Sequence, residues 1–154
     1  MIKIPILKKQ LEEYFKNNNI QYVCLNKAHK NISIPMYMLN LRIVNEKTEL
    51  TEVEIPIIVT IFKSANIIFL DCFDIYRTKK SNYVKTLKTI NSINQYSFPG
   101  TFFIDNDNQV DYRCIIDYSD MDSLDSTLLG KMLDSIPPAY YILLEQIEKS
   151  VKNE

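Results

Sequence analysis

The sequence predicts a single α+β domain, with helices packed on an antiparallel sheet. Three observations carry this expectation. The spacing of apolar residues switches along the chain between the 3.6-residue period of a helix and the two-residue period of a strand. The polar breaks between successive extended runs are short, and a parallel crossover needs roughly a dozen residues, so neighbouring strands should run antiparallel. No repeat, linker or shift in composition divides the 154 residues, so 1–154 reads as one domain.

The first element covers residues 5–16. Leu7, Leu11, Tyr14 and Phe15 mark one helical face, and Lys8, Lys9, Glu12 and Glu13 occupy the other. Pro5 suits a first turn, and Asn17-Asn18-Asn19 supplies residues that tolerate the left-handed stop. A short apolar run at 21–25 follows. Residues 34–44 then alternate, with Tyr37, Leu39, Leu41 and Ile43 on one face and Met36, Met38, Asn40 and Arg42 on the other. Asn45 to Glu49 forms a polar connection. Residues 53–63 are rich in β-branched side chains: Ile55, Ile57, Val59 and Ile61 face one way, Ile58, Thr60 and Phe62 the other. A turn at 63–66 leads into another strand at 67–76.

From Ser81 the period lengthens. Val84, Leu87, Ile90, Asn91 and Asn94 form a helical stripe, with Ser81 or Asn82 as N-cap, and Phe98-Pro99-Gly100 ends the helix. Strands at 101–104 and 110–118 flank the turn Asp105–Asn108, with Val110, Tyr112, Cys114, Ile116 and Tyr118 alternating against Asp111, Arg113, Ile115 and Asp117. A last helix begins near Ser123 behind acidic residues that complement its N-terminus. Pro137-Pro138 should interrupt it, and Tyr140, Leu144, Ile147 and Val151 resume one stripe. The predicted order is α-β-β-β(-β)-α-β-β-α.

Composition narrows the function. Two glycines leave no Gly-rich phosphate cradle or dinucleotide fingerprint. Eighteen basic against 19 acidic residues give a net charge of −1, which predicts no nucleic-acid partner. No apolar run approaches the ~18 residues of a membrane span and no signal peptide is apparent, so the expected location is the cytoplasm, without a membrane partner. Cys24, Cys72 and Cys114 lie far apart beside apolar neighbours, as buried reduced thiols would.

Candidate chemistry fares poorly. His29 is the only histidine and sits in a polar loop beside two lysines, so no paired-histidine metal motif can form. No serine occupies a G-x-S-x-G elbow. Asp105-Asn106-Asp107-Asn108 imitates the start of a calcium loop, yet the sixth and twelfth positions hold Val110 and Ile116 instead of Gly and Glu. Pro99 to Asp105 looks like the proline-to-strand segment of thioredoxin-like proteins, which depend on an activated cysteine that none of the three provides. Asp117, Asp120, Asp122 and Asp125 suit a solvated loop and a helix cap. Arg77, Lys79, Lys80 and Lys85 form a small positive patch beside Tyr76 and Tyr83. The reading therefore assigns no catalytic residue, cofactor or metal.

Three segments carry a family resemblance: Leu87-Lys-Thr-Ile90-Asn91-Ser-Ile93-Asn94, Gly100-Thr-Phe-Phe-Ile-Asp105, and Val110-Asp-Tyr-Arg113-Cys-Ile-Ile-Asp117. Leu124, Leu128 and Tyr140-Tyr141 extend it. The pattern resembles the YbjN family over about residues 83–145. The chain differs at Asn108, where members often have glycine, and at Pro137-Pro138. The resemblance implies a fold similar to type III secretion chaperones, with helices packed against a twisted antiparallel sheet. Those chaperones are typically dimers that hold an extended polypeptide and have no active site. YbjN-like proteins are described as regulators or chaperone-like proteins.

The residues add a reason of their own. Ile58 and Phe62 lie opposite Ile57 and Ile61, and Ile68 and Leu70 oppose Ile67 and Phe69, so both faces of the sheet are apolar. Surface of that kind calls for a second subunit or a client. The expectation is a non-enzymatic, homodimeric, chaperone-like or regulatory adaptor that binds a partner polypeptide. Met36 and Met38 supply adaptable surface, and Phe62, Tyr112 and Arg113 complete the expected partner site. The alternative is a regulatory domain sensing a small ligand between the sheet and the C-terminal helix.

Overall fold

The structure is a computed structural model that describes residues 2–28, 33–44, 52–96 and 98–152. His29 with its neighbours Lys30 and Asn31, and the connection Asn45 to Glu49, lie outside the described residues, as do the side chains of Ile43 and Val151. The elements run α1 (Ile4–Asn17), β1 (Tyr22–Cys24), α2 (Leu25–Ala28), β2 (Met36–Val44), β3 (Glu52–Phe62), β4 (Ile67–Arg77), a 3₁₀ turn (Lys80–Asn82), α3 (Tyr83–Ile93), β5 (Gly100–Ile104), β6 (Gln109–Asp117) and α4 (Ser126–Lys152). The strands form one open antiparallel sheet in the order β1-β2-β3-β4-β6-β5. This is an α+β fold. The one-turn helix α2 occupies part of the stretch expected to be loop.

Chain contacts define two units, Met1–Leu70 with Ile115–Gly130 and Asp71–Cys114 with Lys131–Glu154. In the first, α1 starts with Pro5 in its first turn and stops at the asparagine run. Asn18 donates from Nδ2 to the Tyr14 carbonyl at 2.9 Å, and Asn19 takes φ 55°. Leu7, Leu11 and Phe15 are fully buried, with Phe15 against the rings of Tyr22 (5.2 Å) and Tyr37 (5.9 Å). Strands β2 and β3 pair from Met36↔Thr60 to Val44↔Glu52, which places Tyr37, Leu39, Ile57 and Val59 on the buried face. Asp125 caps α4: its Oδ1 accepts from the amides of Thr127 (2.9 Å) and Leu128 (3.0 Å), so the helix begins at Ser126, three residues beyond the expected start.

In the second unit two expectations need correction. Val84 is 63% exposed, and the buried face of α3 is Thr86, Ile90 and Ile93. The cause is a buried hydrogen bond of 2.8 Å between the hydroxyls of Thr78 and Thr86, which turns Thr86 inward and Val84 out. Asn82 stands at the N-cap position but makes no side-chain cap bond. The second correction concerns α4, which continues through Pro137 and Pro138. Proline's fixed φ is itself helical, and buried Leu133, Ile136, Ala139, Leu143 and Ile147 hold the helix on both sides of the pair. The buried stripe thus passes through Leu143 where Leu144 was expected.

Candidate partner-binding surface

The surface is built in the first unit by strand pairing. Val23 lies opposite Met38, and Met38 opposite Ile58, so three apolar side chains form a row across β1, β2 and β3. Met36 pairs with Thr60 on the same face, two residues along, and Phe62 follows by alternation. The rings of Phe62 and Phe69 are 5.0 Å apart and extend the apolar surface. This face is opposite the one that α1 buries through Tyr37 and Leu39. Ile57, Ile61, Ile68 and Leu70 are fully buried, whereas Ile58, Phe62, Ile67 and Phe69 are half-buried and Val23 is 46% exposed.

Next to Phe62 the surface deepens into a groove of about 720 Å³ lined by Ile4, Pro5, Ile34, Pro35, Phe62 and Lys63. A volume of this size accepts several apolar side chains. A polar cleft of about 500 Å³ beside Gln10, Tyr14 and Ser126 has part of its capacity taken locally, since Gln10 Oε1 accepts from the Leu124 amide at 2.9 Å.

Met36, Met38 and Phe62 are therefore brought onto one face, while Tyr112 and Arg113 belong to the second unit. Tyr112 is only 1% exposed and cannot present its ring to a partner. Its hydroxyl accepts from the Gly100 amide (3.0 Å) and donates to Ser135 Oγ (3.3 Å), which in turn donates to the Met132 carbonyl (2.7 Å). That closed chain makes Tyr112 part of the core, and burial pushes its hydroxyl up to about 12. Arg113 points the other way. Its Nε donates to Asp71, whose side chain is 5% exposed, and its guanidinium lies 5.2 Å from the centre of the Phe103 ring.

Sequence reasoning missed Val23, Ile34 and Pro35. Val23 was visible as one residue of an apolar run, but only the three-residue register with β2 puts it beside Met38.

A further polar contact of the second unit joins Asp74 and Asp111. Asp74 has φ 53°, and its amide donates to Asp111 Oδ1 at 2.8 Å. Asp111 is 3% exposed, and burial raises its carboxyl above the usual range, opposed by the Asp74 amide bond and reinforced by the charges of Asp105, Asp71 and Asp74. Burial likewise pushes the Cys72 thiol up to about 12 and raises that of Cys114, so both are neutral thiols at neutral pH. Among the described residues no helix is long and apolar enough to cross a membrane, and no group of three or more His, Cys, Asp or Glu side chains is placed to hold a metal ion. The chain matches no protein-family model and no curated protein sequence.

Proposed function

We propose that this protein is a non-enzymatic, chaperone-like or regulatory adaptor of the cytoplasm. It acts as a homodimer and holds an apolar, extended segment of a partner polypeptide against the open sheet face of the first unit. The observation that carries this reading is the row Val23–Met38–Ile58, continued by Met36, Phe62 and Phe69, on the face away from α1. An apolar surface of this kind gains free energy when a second chain removes it from water. Methionines at two of its positions suit partners of varied shape, because the unbranched thioether side chain adapts its contour at little cost. The fold of type III secretion chaperones and a place in the YbjN family belong to this proposal, as the family resemblance implies.

The test pairs composition with position. Native mass spectrometry of protein purified from its own cells should find two subunits with a bound polypeptide. A photo-crosslinking residue at Met38 should capture that polypeptide, and one at Glu13, on α1, should not. Ile58→Glu, opposite position 38, in the chain that carries the crosslinker there should abolish the capture. A lone subunit without polypeptide, or equal crosslinking from both positions, overturns the reading. A bound small molecule in place of polypeptide would favour the ligand-sensing alternative.

A further inference from the structure

The buried bond between Thr78 and Thr86 joins the end of β4 to α3, and the Asn82 amide, on the Lys79 carbonyl at 2.9 Å, closes the 3₁₀ turn between them. Arg77, Lys79 and Lys80 lie within two residues of Thr78, and Lys85 and Lys88 within two residues of Thr86. One hydrogen bond therefore gathers five cations at one end of the second unit. Arg77, Lys79, Lys80 and Lys88 are exposed and Lys85 is half-buried. Lys85 and Lys88, three residues apart, are neighbours on the helix surface.

Residues 75–104 contain no Asp or Glu. The turn Asp105–Asn108 does meet this end of the unit, since the Asn108 carbonyl accepts from the Thr78 amide at 2.9 Å. Its Asp105 is committed to the turn, with Oδ1 accepting from the amides of Asp107 (2.9 Å) and Gln109 (2.8 Å). Five cations outnumber the two carboxylates of that turn, so the patch is positive. Among the described residues Arg77, Lys79, Lys80 and Lys88 take part in no ion pair, whereas Lys9, Arg42, Arg113 and Lys149 each have a carboxylate partner. Tyr83 and Val84, 37% and 63% exposed, stand between the cations.

We propose that this patch is a docking surface for an acidic segment of a polypeptide that carries apolar side chains between its carboxylates. Charge complementarity calls for an anion, and three observations select a peptide over a nucleic acid or a lipid surface. The whole chain has a net charge of −1, so a long polyanion or a charged membrane also meets its acidic remainder, while a short segment meets the patch alone. Four of the five cations are lysines, point charges without the planar fork with which arginine grips phosphate. Val84 offers aliphatic contact, which suits a leucine better than a stacking base. The proposal concerns the second unit and does not rest on the apolar surface of the first.

The test is fluorescence anisotropy of a labelled peptide of Glu-Glu-Leu repeats with the full chain. The peptide should bind saturably and more weakly as salt is raised. Lys80→Glu with Lys88→Glu should weaken binding about ten-fold or more, because each reversal removes an attraction and adds a repulsion. Lys3→Glu with Lys27→Glu, an equal change of charge at exposed positions of the first unit, should bind as wild type does, and so should Ile58→Glu on the apolar row. Equal loss in the Lys3 and Lys27 pair, or loss in Ile58→Glu, overturns the proposal. Competition by single-stranded RNA or phosphatidylserine vesicles at concentrations below those of unlabelled peptide would assign the patch to phosphate and overturn it too. Should the Lys80 and Lys88 pair fail to fold, amide chemical shifts of the wild type decide. The peptide should move signals across residues 79–88, and movement confined to Val23 and Met38 would refute the assignment.

Discussion

Gly100→Ala should be among the most damaging single-methyl additions in this protein. A Cβ at position 100 would lie 2.5 Å from Tyr112 Cζ, 2.7 Å from the Tyr112 hydroxyl and 2.7 Å from the Arg113 carbonyl oxygen. The first two contacts belong to a ring with no room to retreat, since Tyr112 is buried and packs on Phe102 at 4.7 Å between ring centres. The third is backbone of the neighbouring strand. Overpacking of this kind costs about 1–3 kcal/mol. A displaced ring also loses its bonds to Gly100 and Ser135, each worth about 1 kcal/mol net. The reduced freedom of the unfolded chain returns about 0.4–1 kcal/mol. The balance is a loss of about 3 kcal/mol, which lowers Tm by roughly 6–12 °C for a chain of this length. Urea denaturation followed by circular dichroism measures it. A loss below about 1 kcal/mol would refute the reasoning, because overpacking alone should exceed that figure.

Two further outcomes follow from the second unit. Asp111→Asn keeps an oxygen to accept the Asp74 amide and removes a buried charge, so it should be neutral or stabilising at pH 7. Because the folded-state carboxyl titrates above the unfolded one, the folded protein binds this proton first, and wild type gains stability from it as pH falls through that interval. The variant lacks that gain. Comparing urea midpoints of the two proteins between neutral pH and the carboxylate range checks this, and parallel pH profiles would contradict it. Pro138→Ala, at an exposed position inside α4, should restore a helical amide to the Asp134 carbonyl and raise stability by about 2 kcal/mol after the entropy of the freer unfolded chain is deducted. An unchanged or lower Tm would mean that the proline pair contributes a shape that α4 needs.

Periodicity made much of the fold legible. Leu7, Leu11 and Phe15 are spaced so that one helical face must be apolar, and α1 buries those three. The alternation through β2, β3 and β6 assigned each residue to one of two faces, because successive strand side chains point in opposite directions. The helix misassignments have a common origin. Apolarity alone favoured Val84 over Thr86, but a threonine whose hydroxyl finds a buried partner costs little to bury, and that partner lies eight residues away. Proline's local penalty likewise pointed to a break at Pro137-Pro138, whereas the buried residues flanking it, Ile136 and Ala139, hold the helix together.

The proposed surface divides in the same manner. That Met36, Met38 and Phe62 belong to one side of their strands is a property of parity in the amino-acid order, since side chains alternate with period two wherever a strand forms. Which strands adjoin, and therefore that Val23, Met38 and Ile58 form one row while Tyr112 is buried, depends on pairing register and on the packing within each unit. Those are contacts between residues far apart in the chain, and their energies come from shared burial and closed hydrogen bonds that no local pattern encodes.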